Sequence, residues 1–266
     1  MLKIITNSKI FYLLIIYYLV LVIWWLKIFF SGSTEGDENF LFGFAYSFIP
    51  LVGGIYGLII SKKWGGFQSQ IGKGIGFFSL GLLGYWFGQT AWSYYNIIAK
   101  VEVPYPSVAD FGYFSAIITY SLGIFYFAKA IGIKFQLRKN KSKLFALIVP
   151  LIMLLVSYFF FIRDTEHDFS DPIRTFLDYG TPLGLAIPIS IAIIAYSLTR
   201  GFLGGQMKSR ILYIIAALII EYITEFTFFY QAATGTYYNG GFNDLMYATS
   251  FLVMSLGLIG FKDYEG

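Results

Sequence analysis

The sequence predicts an all-α integral membrane protein of eight transmembrane helices, arranged as two parallel pseudo-symmetric four-helix halves, 1–133 and 134–266. Three observations predict it. Of the 266 residues, 57% are hydrophobic and only 13% are charged, against about 25% charged in a soluble domain. Apolar runs of about 20 residues, long enough to cross a hydrocarbon core, recur at 10–30, 40–60, 74–98, 108–131, 144–162, 175–199, 211–233 and 244–261. Residues 107–124 also match 241–258 at an offset of 134, close to half the chain.

Each run has its own character. The first, with Tyr17, Tyr18, Trp24 and Trp25, is too long and too aromatic for a cleaved signal segment and reads as an anchor. The second and sixth carry Pro50 and Pro182 with Pro188, where kinks open space between helices. The third is rich in tryptophan and tyrosine: Tyr85, Trp86, Trp92, Tyr94 and Tyr95. The fourth and eighth each open on an aspartate, Asp110 and Asp244, and the seventh carries Glu221 and Glu225.

Charge sets the orientation. Lys3, Lys9, Lys62, Lys63, Lys73, Lys134, Arg138, Lys139, Lys141, Lys143, Arg200, Lys208, Arg210 and Lys262 fall on the N-terminal side and in alternate loops. The opposite loops hold Glu35, Asp37, Glu38, Glu102, Asp164, Glu166, Asp168 and Asp171, with few basic residues. The positive-inside rule therefore predicts a multi-pass protein of the cell membrane with both termini cytoplasmic.

Absences narrow the chemistry. There is no cysteine, so disulfides and thiolate chemistry are excluded. The single histidine, His167, sits in a polar loop with Asp164, Glu166, Asp168 and Asp171, which reads as a solvated loop rather than a cation site. No lysine lies mid-span, which disfavours a retinal Schiff base, and 72–76 lacks the spacing of a phosphate loop. The net charge of +4 belongs to topology, so nucleic acid is not an expected partner. No cofactor signature and no nucleophile–histidine pair is present, so no enzymatic activity is expected and the cofactor, if any, is unknown.

The repeat pairs Asp110 with Asp244, Tyr113 with Tyr247, and Ser121-Leu122-Gly123 with Ser255-Leu256-Gly257. Both halves begin on the cytoplasmic side, so they are parallel repeats related by an axis along the membrane normal. Tyr105-Pro106-Ser107-Val108-Ala109-Asp110 with Tyr113, following an aromatic helix, resembles the multi-helix membrane module that precedes diguanylate cyclase, phosphodiesterase or histidine kinase domains in bacterial signalling proteins. Similar segments occur in stand-alone archaeal membrane proteins. The resemblance covers about 85–125 and, more weakly, 220–258, and it implies a sensory or ligand-binding module. No output domain follows Lys262 in this sequence, so the resemblance implies a separate signalling partner.

Residues with chemistry follow. Ser107 and Asp110 have capping-box spacing, with Pro104 and Pro106 holding the preceding chain extended. Asp244 retains the acid although Gly241 replaces the serine, which hints at a further role. Glu221 and Glu225 are four apart, so they share one face of a helix at mid-membrane depth, where an acid costs roughly 2.5–3.5 kcal/mol. They are either functional or interhelical glue bonded to tyrosines and Gln89. The expected site lies between spans three, four, seven and eight and opens outward. Glu221, Glu225, Asp110 and Asp244 supply its charge, and Gln89, Trp92 and Tyr222 line it. The bilayer is the expected surrounding, and a small apolar or cationic ligand the expected occupant. The leading expectation is a sensory or small-ligand-binding module. A proton- or cation-coupled transporter using Glu221 and Glu225 is the alternative, and a scaffold subunit the third.

Overall fold

The computed structural model describes residues 8–163, 169–199 and 205–264. About 85% of the described residues are helical, and no strand occurs among them. In order the helices are α1 (Lys9–Ser31), α2 (Asp37–Tyr46), α3 (Phe48–Lys63), α4 (Gln70–Ser93), α5 (Val108–Ala130), the single turn α6 (Ile133–Gln136), α7 (Asn140–Ser157), α8 (Pro172–Thr199), α9 (Gly205–Ala233) and α10 (Phe242–Ile259). Turns of π-helix, Tyr94–Ala99 and Tyr158–Ile162, continue α4 and α7.

Seven stretches are long and apolar enough to cross a membrane: Lys9–Ser31, Asp37–Lys63, Val108–Ala130, Asn140–Ile162, Pro172–Leu198, Ser209–Ala233 and Phe242–Lys262. The chain is thus a multi-pass membrane protein by its helices. The run expected at 74–98 falls on α4 and its π turn. At 24 residues α4 is long enough, but six glycines, Gln70, Lys73 and Gln89 dilute its apolarity, and it is not among the seven. The second run divides at Ser47, three residues before Pro50. Proline has no N–H to offer the carbonyl four residues back, here that of Tyr46, and at the break the Ser47 hydroxyl donates to the Phe44 carbonyl at 2.7 Å. The His167 cluster and Arg200 lie outside the described residues.

What α4 loses in apolarity it gains in close packing. With no hydrophobic drive between helices in lipid, small residues that let backbones approach are what hold a bundle together. A Cβ on Gly112 of α5 would sit 2.6 Å from the Gly88 nitrogen and 2.7 Å from the Gly84 oxygen of α4. On its other side α4 meets α3, where a Cβ on Gly54 would lie 2.9 Å from the Ser79 carbonyl oxygen. α10 fits against α3 through Gly53, whose missing side chain makes room for Ser255. α1 and α7 are peripheral: 22% of each apolar stretch is buried, against 72% for α10.

Cross-links define the two ends of the bundle. Trp64 Nε1 donates to the Phe261 carbonyl at 3.0 Å at one end. At the other, Trp25 Nε1 donates to the Gly241 carbonyl at 3.2 Å and Asn39 Nδ2 to the Asn239 carbonyl at 2.8 Å.

Gly112→Ala is expected to cost ~1–3 kcal/mol by pushing two backbones apart. Leu147→Ala, on an exposed face, should cost under about 0.5 kcal/mol. Thermal unfolding in detergent measures both, and equal melting temperatures would disprove the close-contact account.

Candidate functional site

With its glycines committed to α3 and α5, α4 turns its larger side chains elsewhere. Tyr85, Gln89 and Trp92 border a cavity of about 530 Å³. Tyr113 and Ile117 of α5, Thr181 and Pro182 of α8, Glu225 and Phe229 of α9, and Tyr247 and Phe251 of α10 complete its walls. Phe161 enters from the π turn after α7, and Tyr237 from the loop before α10. Twelve of the lining residues are aromatic. The cavity has the size and apolar lining of a small-molecule site.

Its mouth is polar. Tyr105, in the loop between α4 and α5, donates its hydroxyl to Asp178 Oδ1 of α8 at 2.7 Å. Arg174 lies one turn away with Nε 4.0 Å from Asp178 Oδ2, and its guanidinium is 5.7 Å from the Tyr105 ring centre. Burial, and then the bond to Asp178, push the Tyr105 phenol well above its ordinary range, so it stays a donor. Asp110 also borders the mouth.

Asp110 is the acid of a formed capping box. Its Oδ2 accepts from the Ser107 amide at 2.6 Å and the Ser107 hydroxyl at 2.9 Å. The peptide bond into Pro106, just before this cap, is cis. Asp244, the third residue of α10 as Asp110 is of α5, does a related job while fully buried. Its Oδ2 accepts from the Gly240 amide at 2.7 Å, and its Oδ1 from the Tyr237 hydroxyl at 3.1 Å. Asp244 does not border the cavity; it fixes Tyr237, which does.

Gln89 is fully engaged. Its Nε2 donates to the Gly43 carbonyl at 3.2 Å and its Oε1 accepts from the Tyr113 hydroxyl at 2.9 Å, tying α2, α4 and α5 together. These are not bonds to the glutamate pair, so the glue role expected of Gln89 is played between other helices. Trp92 donates Nε1 to Asn239 Oδ1 at 2.9 Å, and its ring meets that of Tyr237 at 6.4 Å.

Glu221 and Glu225 are both buried, 3% and 8% exposed, but they separate by depth. Glu225 reaches the cavity floor, where the Tyr85 hydroxyl donates to its Oε1 at a long 3.4 Å. Glu221, one turn deeper, borders a separate void of about 10 Å³ together with Tyr85, Tyr120 and Tyr222. Neither Glu221 oxygen has a hydrogen-bond partner. Of the seven expected site residues, the cavity thus gathers Glu225, Asp110, Gln89 and Trp92, the void takes Glu221 and Tyr222, and Asp244 stands behind the wall.

The expected set left out α8. Asp178 was readable as an acid inside the sixth apolar run, one turn from Arg174. Tyr105 carried no such signal, because its role depends on where the loop meets α8. No group of three or more potential metal ligands occurs among the described residues. No known family model, curated protein or solved structure matches this chain.

Asp244→Asn weakens two buried bonds to a carboxylate and is expected to cost ~1–3 kcal/mol. Asp110→Asn, at a partly exposed cap, should cost about 1 kcal/mol or less. Chemical denaturation followed by tryptophan fluorescence compares them, and a larger loss for Asp110→Asn would contradict these roles.

Proposed function

We propose that this protein is a sensory or ligand-binding membrane module whose ligand is a small organic cation with a flat apolar body. One observation carries the reading: a cavity of about 530 Å³, walled by aromatic rings from α4, α5, α9 and α10, has at its floor the carboxylate Glu225, held by one long hydrogen bond and facing no cation. Ring faces and a carboxylate in a dehydrated space attract a cation, by roughly 2 kcal/mol or more for a desolvated cation–π contact. Asp110 and Asp178 add negative charge at the mouth. The resemblance of 105–113 to the membrane segments of signalling proteins supports a sensory role.

The cavity opens outward in this proposal. Its mouth lies at the end of the bundle that carries Glu35, Glu38 and Glu102, while Lys62, Lys63, Lys73, Lys134 and Lys262 gather at the other. The positive-inside rule then keeps both termini cytoplasmic, with α4 as an eighth span shielded by its neighbours.

Two four-helix halves, 1–133 and 134–266, also belong to this proposal. Supporting them, Asp110 and Asp244 occupy the same position of their helices and each accepts a backbone amide from the preceding turn. α5 packs on α8 as α10 packs on α3, and the peripheral α1 corresponds to the peripheral α7. Tyr113 bonds Gln89 in one half, while its counterpart Tyr247 stands beside Glu225 in the other. The cavity's acid thus takes the place of a neutral amide.

A second reading, a proton- or cation-coupled transporter, is favoured by Glu221, an acid one turn below the cavity floor. Benzyltrimethylammonium and its neutral carbon analogue separate the possibilities. The cation is expected to raise the melting temperature and the analogue to do so much less. Glu225→Gln should weaken the cation about tenfold, or ~1.4 kcal/mol. Accumulation of the cation in proteoliposomes would favour the transporter. Equal response to both compounds would refute a cation site.

A further inference from the structure

Below the cavity floor, Glu221, Tyr120 and Tyr222 are among the residues lining a void of about 10 Å³. Glu221 has two oxygens without a hydrogen-bond partner, and the hydroxyls of Tyr120 on α5 and Tyr222 on α9 also have none. Glu221 and Tyr120 are each only 3% exposed. Orphaned polar atoms are expensive in a protein interior and worse at membrane depth. A void of roughly 10–15 Å³ with two to four polar neighbours is the smallest space that holds a water molecule. A metal cation fits poorly, since hard cations ask for about six oxygens and the void offers a carboxylate and three phenols.

One polar residue joins this void to the cavity. Tyr85 and Ile117 border both spaces, and of the two only Tyr85 has a polar atom, the hydroxyl that donates to Glu225. The groups facing Glu221 come from every neighbouring element: Tyr85 of α4, Tyr120 of α5, Tyr46 of α2, and Tyr247 and Ser250 of α10. α8 contributes only Leu185, Pro188 and Ile189. None of these is a cation, so nothing offsets two negative charges one helical turn apart, and like charges so placed favour a shared proton.

We propose that Glu221, Tyr120 and Tyr222 bind a single water, and that this water and the Tyr85 hydroxyl relay one proton between Glu225 and Glu221. The proposal rests on the cavity being a cation site. When a cation reaches the floor, the proton on Glu225 passes to the Tyr85 hydroxyl oxygen. The Tyr85 proton passes to the water, and a water proton passes to the Glu221 carboxylate. One proton leaves Glu225 and one arrives at Glu221; Tyr85 and the water are regenerated. The cation then faces a charged Glu225, and no proton enters the solvent.

Two measurements on the full chain in lipid nanodiscs test this. Infrared difference spectra between two pH values, in ordinary and in ¹⁸O water, read the water site without ligand. A carboxyl C=O band and an isotope-sensitive O–H stretch are expected in the wild type. The O–H stretch should be lost in Glu221→Gln while a C=O band from the remaining Glu225 persists, and the O–H stretch alone should change in Tyr222→Phe. An O–H stretch absent from the wild type, or unaltered by Glu221→Gln, overturns the water site. The second measurement is benzyltrimethylammonium affinity across pH, with proton release counted calorimetrically. Wild-type affinity should change little with pH and release no proton. In Glu221→Gln each cation bound should release one proton, and affinity should fall about tenfold per pH unit of acidification, whereas Tyr85→Phe, which keeps both acids, should retain the wild-type proton count but bind the cation more slowly. The same pH dependence in the wild type and Glu221→Gln overturns the relay while leaving the cation site standing. No binding to the wild type refutes the cation site and with it the relay, while the infrared result still decides the water site.

Discussion

Everything about the cavity depends on how closely α4 can approach its neighbours. Gly84 and Gly88 accept the backbone of α5 at Gly112, and Ser79 with Leu83 accepts α3 at Gly54. Two faces of α4 are consumed in this way, each where a glycine on one helix of the pair lets the other come close. The bulky members of the same helix, Tyr85, Gln89 and Trp92, are left to face the interior. A helix packed on two sides by backbone contact is rigid, and it presents those three side chains at fixed positions. The same glycines explain why a helix packed against both α3 and α5 has a composition so unlike that of a lipid-facing helix.

Polar groups then divide between structure and site according to whether they find partners. Asp110, Asp244, Gln89 and Trp92 each have well-formed hydrogen bonds, and each holds a loop or a helix pair in place. Glu225 has one long bond, and Glu221 has none. A bilayer interior penalises unpaired acids, so these two are the residues that packing alone does not explain. They also lie in line, one at the floor of the aromatic cavity and one in the void beneath it.

Much of this was legible in the sequence because membranes impose simple rules on it. Apolar length marked the helices to within a few residues, and the capping spacing of Ser107 and Asp110 marked the start of α5. The spacing of Glu221 and Glu225 correctly placed them on one helix face, but a helical period carries no information about where a cavity ends. Which of the two acids meets the cavity was therefore unreadable. The division of the second run at Ser47 follows from Pro50, though only the structure shows on which side the helix yields. Tyr105 and Asp178 meet across 73 positions of chain, and no local pattern announces such a contact.

The central claim is that the aromatic cavity is a hydrated space open at the end of the bundle that bears the acidic loops. Because the chain contains no cysteine, a single introduced thiol reports on its own surroundings. Thr181→Cys places one in the cavity wall, and Ile152→Cys places one on the exposed apolar face of α7. A membrane-impermeant, positively charged thiosulfonate added outside is predicted to modify Thr181→Cys rapidly and Ile152→Cys hardly at all. Equal inertness of the two thiols, or modification of Thr181→Cys only from the cytoplasmic side, would contradict the account.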